Sequence, residues 1–288
     1  LKTVNISCLH ERMLFSLNQF VMQPGQPVKL IFTNSDATDH NLVFVKPGSL
    51  AEVGMAGNEM AKDPRNANSD FIPPQKKHLI LHASPMIGPT RASRVHVLRF
   101  NAPMEPGIYP YVCTFPGHWI IMKGDMVVAP NQEEAEKMLK SLKPALVKEW
   151  MLADFDDLVT SKDENSLLRG MQSFMKANCH QCHAVAGKGV NLGPDLCNVF
   201  ERYKGKKLLQ QILEPSSEIN PKYLNHRLFL NDGRTITGVI DKEANNEYHV
   251  ITNLLTPTSI TRIPKKQVEE KTVSKISPMP AGMINTLT

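Results

Sequence analysis

The sequence predicts a two-part chain. An all-β sandwich over residues 1–130 is joined by a helical connector (131–160) to a mainly α-helical region (161–288) that carries a β insertion at about 222–266. Three observations lead there. Short β-rich runs separated by Pro-Gly turns fill the first part. From residue 165 a helical apolar period takes over. Each part also carries its own tight group of cysteine and histidine. The 288 residues are more than one typical hydrophobic core uses, which supports two domains.

In the first part, "VKLIF" (28–32) alternates Val28, Leu30 and Phe32 on one face, and "NLVFV" (41–45), "RVHVLRF" (94–100) and "GDMVV" (124–128) are similar runs. Pro24-Gly25, Pro47-Gly48 and Pro106-Gly107 mark turns between them. Ser49 and Glu52 form a capping-box pattern, so a helix is expected over "VGMAGNEMAK". After Pro130, Asn131 caps a new helix, with Glu133, Glu134 and Glu136 near its start and Lys140 and Lys143 near its end, as the helix dipole favours. Leu167, Leu168, Met171, Phe174 and Met175 then trace a helical stripe running into Cys179, and "KKLLQQILEP" (206–215) is a short helix stopped by Pro215. Asn231-Asp232-Gly233 joins two β-like runs as a hairpin, and "EYHVITNL" and "TSITRIP" continue the β pattern to about 264.

Composition excludes several classes. The excess of 33 basic over 28 acidic residues is spread along the chain, with no basic stripe of the kind nucleic-acid binding needs. No apolar run approaches the roughly 20 residues of a membrane-spanning helix. No secretory leader is recognised at Leu1, as expected of a processed chain. Five cysteines are few for a disulfide scaffold. Three of them fall in two motifs. Cys8 and Cys197 are left over, expected as buried thiols, with a bridge between them as the alternative.

The first motif is "CTFPGHWIIMKG" (113–124). Cys113, His118 and Met122 offer a thiolate, an imidazole and a thioether within ten positions. Two histidines, one cysteine and a distant methionine make a mononuclear blue-copper site. The missing histidine is assigned to His40, which directly precedes a strand, while Cys113 ends another. Pro116-Gly117 supplies the turn that folds His118 back towards Cys113. A buried core thiol is the bland alternative. Zinc is another, although the loop has no zinc-finger spacing. His10, His78, His82 and His96 have no comparable setting and are read as surface residues. Phe115, Pro116 and Trp119 flank His118 as either a docking patch or ordinary packing.

"YPYVCTFPGHWIIMKGDMVV" and "GQPVKLIFTNSDATDHNLVFVKPGS" resemble the two ligand regions of azurin and its relatives in the cupredoxin family. The likeness covers nearly all of residues 10–130 and implies a Greek-key cupredoxin sandwich. It implies His40, Cys113, His118 and Met122 as copper ligands, with Asn41, Thr114 and Phe115 as supporting residues. In azurin a glycine precedes the first histidine and its carbonyl approaches copper weakly. Asp39 holds that place here, so its carbonyl is the candidate fifth contact.

The second motif, "CHQCH" (179–183), is C-x-x-C-H, the attachment signature of c-type haem. Cys179 and Cys182 would carry the thioether links and His183 would be the proximal ligand. A thioredoxin-like redox pair is the rival, but it requires a βαβ setting. Met279 in "SPMPAGM" is the candidate sixth ligand, flanked by prolines that fix its backbone, and Met283 is the runner-up. "GPDL" (193–196) resembles the class I cytochrome c loop, in which a proline carbonyl, here that of Pro194, braces the proximal histidine. Residues from about 145 to 288 together resemble the haem-binding cytochrome domains of Planctomycetes and Verrucomicrobia, which carry a β insertion before the methionine. That likeness implies a final helix after the methionine. The sequence stops at Thr288, so a longer natural chain is expected.

One type 1 copper and one haem c in a single chain imply a fusion protein for electron transfer, not an enzyme. It is expected to be periplasmic or otherwise extracytoplasmic and to exchange single electrons internally and with redox protein partners. The alternative from another class is the electron-input module of a larger copper or haem oxidoreductase whose catalytic part lies outside this chain. A copper store or chaperone is the third, and the rigid thiolate loop argues against it.

Overall fold

The computed structural model describes residues 1–9, 13–36, 38–66, 69–88, 91–142, 148–156, 166–189, 192–254, 258–279, 281–285 and 287. By packing, the chain divides into two compact units. One comprises Leu1–Leu142 with His226–Val273, and the other Lys143–Asn225 with Ser274–Thr288.

The first unit contains the expected sandwich. One sheet has the order β2-β1-β4-β7, built from β1 (Lys2–Leu9), β2 (Leu14–Phe15), β4 (Pro27–Thr33) and β7 (Val95–Asn101). The other has the order β3-β9-β8-β5-β6, built from β3 (Gln19–Met22), β5 (Val43–Val45), β6 (Ile80–Ala83), β8 (Gly107–Val112) and β9 (Lys123–Val128). β1 runs parallel to β4 and β3 parallel to β9, so the chain crosses between sheets instead of forming successive hairpins. Val28, Leu30 and Phe32 all point inward, as their alternation predicts. Tyr111 lies at the centre, with ring centroids of Phe44, Phe15 and Phe20 at 5.2, 5.5 and 5.8 Å.

Helix α1 (Leu50–Ala61) forms where expected, but Ser49 makes no side-chain cap. Its backbone is not extended there (φ −93°, ψ 0°), and Glu52 turns outward to Lys76 at 2.6 Å, so the capping box is not made. Helix α2 (Gln132–Leu142) is capped by Asn131, whose Oδ1 accepts the Glu134 N–H at 2.9 Å. Ala135 packs with Val127 and Ala129, so this part of the expected connector docks onto the sandwich. Of the rest of the connector, the described residues form only a 3-10 turn at Leu152–Phe155; 143–147 and 157–160 lie outside them.

The β insertion is a five-stranded sheet of order β15-β14-β13-β12-β16, from β12 (Asn225–Leu230), β13 (Thr235–Ala244), β14 (Glu247–Ile251), β15 (Ile260–Pro264) and β16 (Val268–Val273). β16 carries it beyond the expected end at 266. It closes a small core on Leu228, Leu230, Val250 and Ile263. Ser274 N–H donates to Asn225 O at 2.8 Å, so the insertion leaves and rejoins the chain at one place. A sheet with its own core and joined ends is free to pack away from its sequence neighbours. Here it groups with the sandwich, and Asn253 Nδ2 donates to Ala61 O at 3.0 Å, whereas the sequence placed it with the helical region.

The second unit holds α3 (Ser166–Lys176), a 3-10 turn at Cys179–Gln181, the small hairpin β10 (Ala184–Val185) and β11 (Lys188–Gly189), α4 (Val199–Arg202) and α5 (Lys206–Leu213). The chain after Met279 makes turns over 281–285, where a helix was expected. Among the described residues no helix is long and apolar enough to cross a membrane.

Candidate metal centres

In the first unit, β8 delivers Cys113 at its end, and the loop before β5 delivers His40. The His40 backbone is held by a two-way pairing with Ile87, at 3.0 and 2.9 Å. Gly117, at φ 82°, makes the tight turn that starts the 3-10 turn His118–Ile120. The result is convergence. Cys113 Sγ lies 3.7 Å from His40 Nδ1 and 3.7 Å from His118 Nδ1, and the two Nδ1 atoms are 3.1 Å apart. All three side chains are buried. Among the described residues this is the one group of His, Cys, Asp and Glu side chains close enough to hold a metal ion. Met122 is fully buried in the same core cluster as Cys113, and its backbone bonds both Cys113 and His118, at 3.0 and 2.8 Å. A thiolate and two imidazoles around one dry point fit a soft copper ion.

The residues named as supports lie against the ligand loops. Asn41 Nδ2 donates to Thr114 Oγ1 at 2.7 Å, and its Oδ1 accepts the Thr114 N–H at 2.8 Å, tying the two ligand loops together. The Phe115 ring lies 4.6 Å from that of His118. Asp39 commits its side chain to Arg91, at 2.8 Å.

Other supports were not read from the sequence. Helix α1 is a strut for the loop. A Cβ on Gly54 would stand 2.4 Å from the Trp119 ring, and one on Gly57 would stand 2.9 Å from Thr114 O, so a larger residue at either position would force its neighbours to shift. Asn58 Oδ1 accepts the Gly117 N–H at 2.9 Å. Phe71, in a left-handed conformation at φ 49°, packs edge-on to Phe115. The i, i+3 glycines on a helix were a visible signal; the strained phenylalanine left none.

The two histidines differ electrostatically. For His40, burial alone lowers the pKa, but hydrogen bonds to Asp36 and Cys113 and their negative charges outweigh it and raise it to about 9. Burial and the neighbouring His40 push His118 well below the usual imidazole range. Cys8, buried beside Asp36 and Cys113, has its thiol pKa raised, first by burial, which disfavours the reactive thiolate. Cys197 is a free thiol too, but exposed, contrary to expectation.

In the second unit, Asn178 ends α3 in a left-handed conformation (φ 59°) and turns the chain into the Cys179–Gln181 turn. Cys182 and His183 both donate N–H to Cys179 O, at 3.1 and 2.9 Å, which sets both thiols and the histidine on one turn. His183 Nδ1 lies 2.9 Å from Pro194 O, the brace expected from "GPDL". Asp195 holds that loop by accepting N–H groups from Gly187, Cys197 and Ala186, at 2.7, 2.8 and 3.2 Å. Gly193 passes so close that a Cβ there would lie 2.5 Å from His183 Cε1. With Nδ1 committed, His183 keeps Nε2 for a ligand. Burial raises the thiol pKa of Cys182 to about 11 and that of Cys179 also upward. Met279 N–H is held by Ser277 Oγ at 3.1 Å, and Ser277 N–H by Ser216 Oγ at 3.0 Å, so the methionine segment is anchored. Paired thiols, a braced histidine and apolar side chains on α3 fit a covalently held haem.

Residues 2–129 match the family described as copper binding proteins of the plastocyanin/azurin type. Auracyanin-A of Chloroflexus aurantiacus is 30% identical over 127 residues, spanning 44% of this chain and 74% of that protein. The chain belongs to the plastocyanin/azurin family. Auracyanin-B of the same organism is 31% identical over 132 residues, 45% of this chain and 53% of that protein. Among solved structures, the reduced auracyanin of Roseiflexus castenholzii is 33% identical and matches over 44% of this chain and 97% of that one, with a TM-score of 0.38. Residues 167–235 match the cytochrome c family. A plastocyanin/azurin-type domain and a cytochrome c region therefore share one chain, and with them come a type 1 copper, a haem c and electron transfer.

Proposed function

We propose that this chain is an extracytoplasmic electron-transfer protein that passes single electrons between its type 1 copper and its haem c, and to or from soluble or membrane-bound redox proteins. The observation that carries the reading is the convergence of His40, Cys113 and His118 on one buried point, in a chain that also holds a braced C-x-x-C-H turn. When bound, copper and haem iron each supply a one-electron couple. The protein's own work is to hold the donors still. Asn41 and α1 fix the thiolate loop, and burial keeps water from Cys113, so little has to move when the charge changes. In this reading Met122 would complete the set that holds copper, with the Asp39 carbonyl as a further contact. Cys179 and Cys182 would carry the haem covalently, and His183 and Met279 would hold its iron. The copper-binding part falls within residues 1–130 and the haem-binding part within 161–288.

Rapid reduction of one centre, followed by optical detection at both, tests the relay: transfer to the other centre is expected, and two independent decays would overturn it. Met279→Ala is expected to convert six-coordinate low-spin haem to an open or misligated form; an unchanged spectrum would move the ligand to Met283 or elsewhere.

A further inference from the structure

The loop before β5 contains a carboxylate that neither the ligand spacing nor the proposed function calls for. Asp36 stands four residues before His40 and is almost wholly buried, at 4% exposure. Its Oδ2 lies 3.1 Å from His40 Nε2. His40 Nδ1 faces Cys113 and His118, so Nε2 is the nitrogen turned away from the metal point. Both partners are held in place. Asn34, fully buried, donates from Nδ2 to Thr38 O at 2.8 Å and to Ile87 O at 2.6 Å, and its Oδ1 accepts the Asp36 N–H at 2.9 Å. His40 is fixed from the other side by its backbone pairing with Ile87. Asn34, Asp36, His40 and Ile87 therefore form one closed, dry unit. The nearby Asp39 is differently placed, since its carboxylate is paired with Arg91.

A carboxylate behind a ligating histidine does two things. It accepts the Nε2–H, which fixes the tautomer and ring angle. It also raises the donor strength of Nδ1, favouring the more positive state of a bound ion. In a buried setting a full negative charge acts far more strongly than the dipole of a backbone carbonyl. We propose that Asp36 is a positioning residue that orients His40 and biases the copper centre towards its oxidised state. The proposal rests on the copper reading of the site, so the experiment separates the two.

The full chain, loaded with copper, is compared with Asp36→Asn and Asp36→Glu by redox titration, with the haem of the same molecule as internal reference. The copper reading itself is checked by the red copper–thiolate band of the unaltered protein; if that band is absent, the site reading fails first. In Asp36→Asn with the band retained, the ratio of Cu(II) to Cu(I) affinity is expected to fall at least tenfold, about 59 mV upward for a one-electron couple. The haem potential should stay fixed, and Asp36→Glu should recover part of the shift. A blue Asp36→Asn protein whose copper potential moves less than about twofold in that ratio would reduce Asp36 to a scaffold and overturn the proposal. Should Asp36→Asn fail to fold, nitrogen-15 NMR of the unaltered Cu(I) protein decides. A slowly exchanging proton on His40 Nε2 is expected, and a proton on Nδ1 would overturn the assignment.

Discussion

The two ends of this chain solve the same problem in opposite ways. Around the copper point, packed protein surrounds the donors: Cys113, His40 and Met122 are fully buried, and α1, Asn41 and Phe115 close on the loop. Around C-x-x-C-H, the turn and the His183 brace are equally defined, yet α3 leaves Leu167, Leu168, Met171 and Met175 on its surface. A metal ion needs a few atoms held to within tenths of an ångström, which a packed β core provides. A macrocycle needs apolar surface, and exposed leucine and methionine provide it. The first centre is framed by its fold, and the second unit should be stabilised by the group it carries.

The largest effect expected follows directly. Cys179→Ala with Cys182→Ala should abolish covalent haem and leave residues 143–225 open to proteolysis. Cys113→Ala should remove the copper band while the sandwich keeps its protection. Limited proteolysis of both variants makes the comparison, and equal loss of protection in the two units would break it.

Next comes Asn41→Ala. It removes both bonds to Thr114 and leaves a buried N–H unpaired, which should cost roughly 2–4 kcal/mol. Hydrogen exchange resolved by segment should show the loss in the strands of the sandwich and none in α3.

Two helical glycines sharpen the contrast. Gly54→Ala drives a Cβ into Trp119 and should destabilise the first unit by about 1–3 kcal/mol. Gly170→Ala, on the exposed surface of α3 with open space around it, should stabilise that helix by about 0.5–1 kcal/mol. Denaturant titration of each variant gives sign and size, and equal signs would contradict the packing described.

The smallest effects test the helix caps. Asn131→Ala should cost about 1 kcal/mol through the lost bond to Glu134. Ser49→Ala, where the side chain caps nothing, should change stability by less than about 0.5 kcal/mol. Thermal unfolding of the two variants separates them.

Much of the molecule was legible because its signals are local. The alternation in "VKLIF" put Val28, Leu30 and Phe32 inside, the Asn231-Asp232-Gly233 hairpin sits where its turn residues place it, and Cys179 to His183 sit on one turn because their spacing allows little else. Pro194 could be named beside the histidine only through a resemblance; its carbonyl oxygen lies 2.9 Å from His183 Nδ1. The capping-box pattern at Ser49 misled, because Glu52 is drawn outward by Lys76, a residue 24 positions away.

By itself, then, the sequence determined the chemistry: which side chains can bind a soft metal, which can hold a haem, and the order of strands and helices that presents them. Tertiary structure decided what those groups meet. His40 and Cys113 are 73 positions apart and come together because β5 pairs with β8. The β insertion groups with the sandwich although it interrupts the helical region, and Asp36 turns its carboxylate onto a ligand because Asn34 holds its loop. Ligand spacing acts along a few bonds and survives as a pattern. The partner of a buried carboxylate is set by sheet register and packing, which no short stretch of sequence contains.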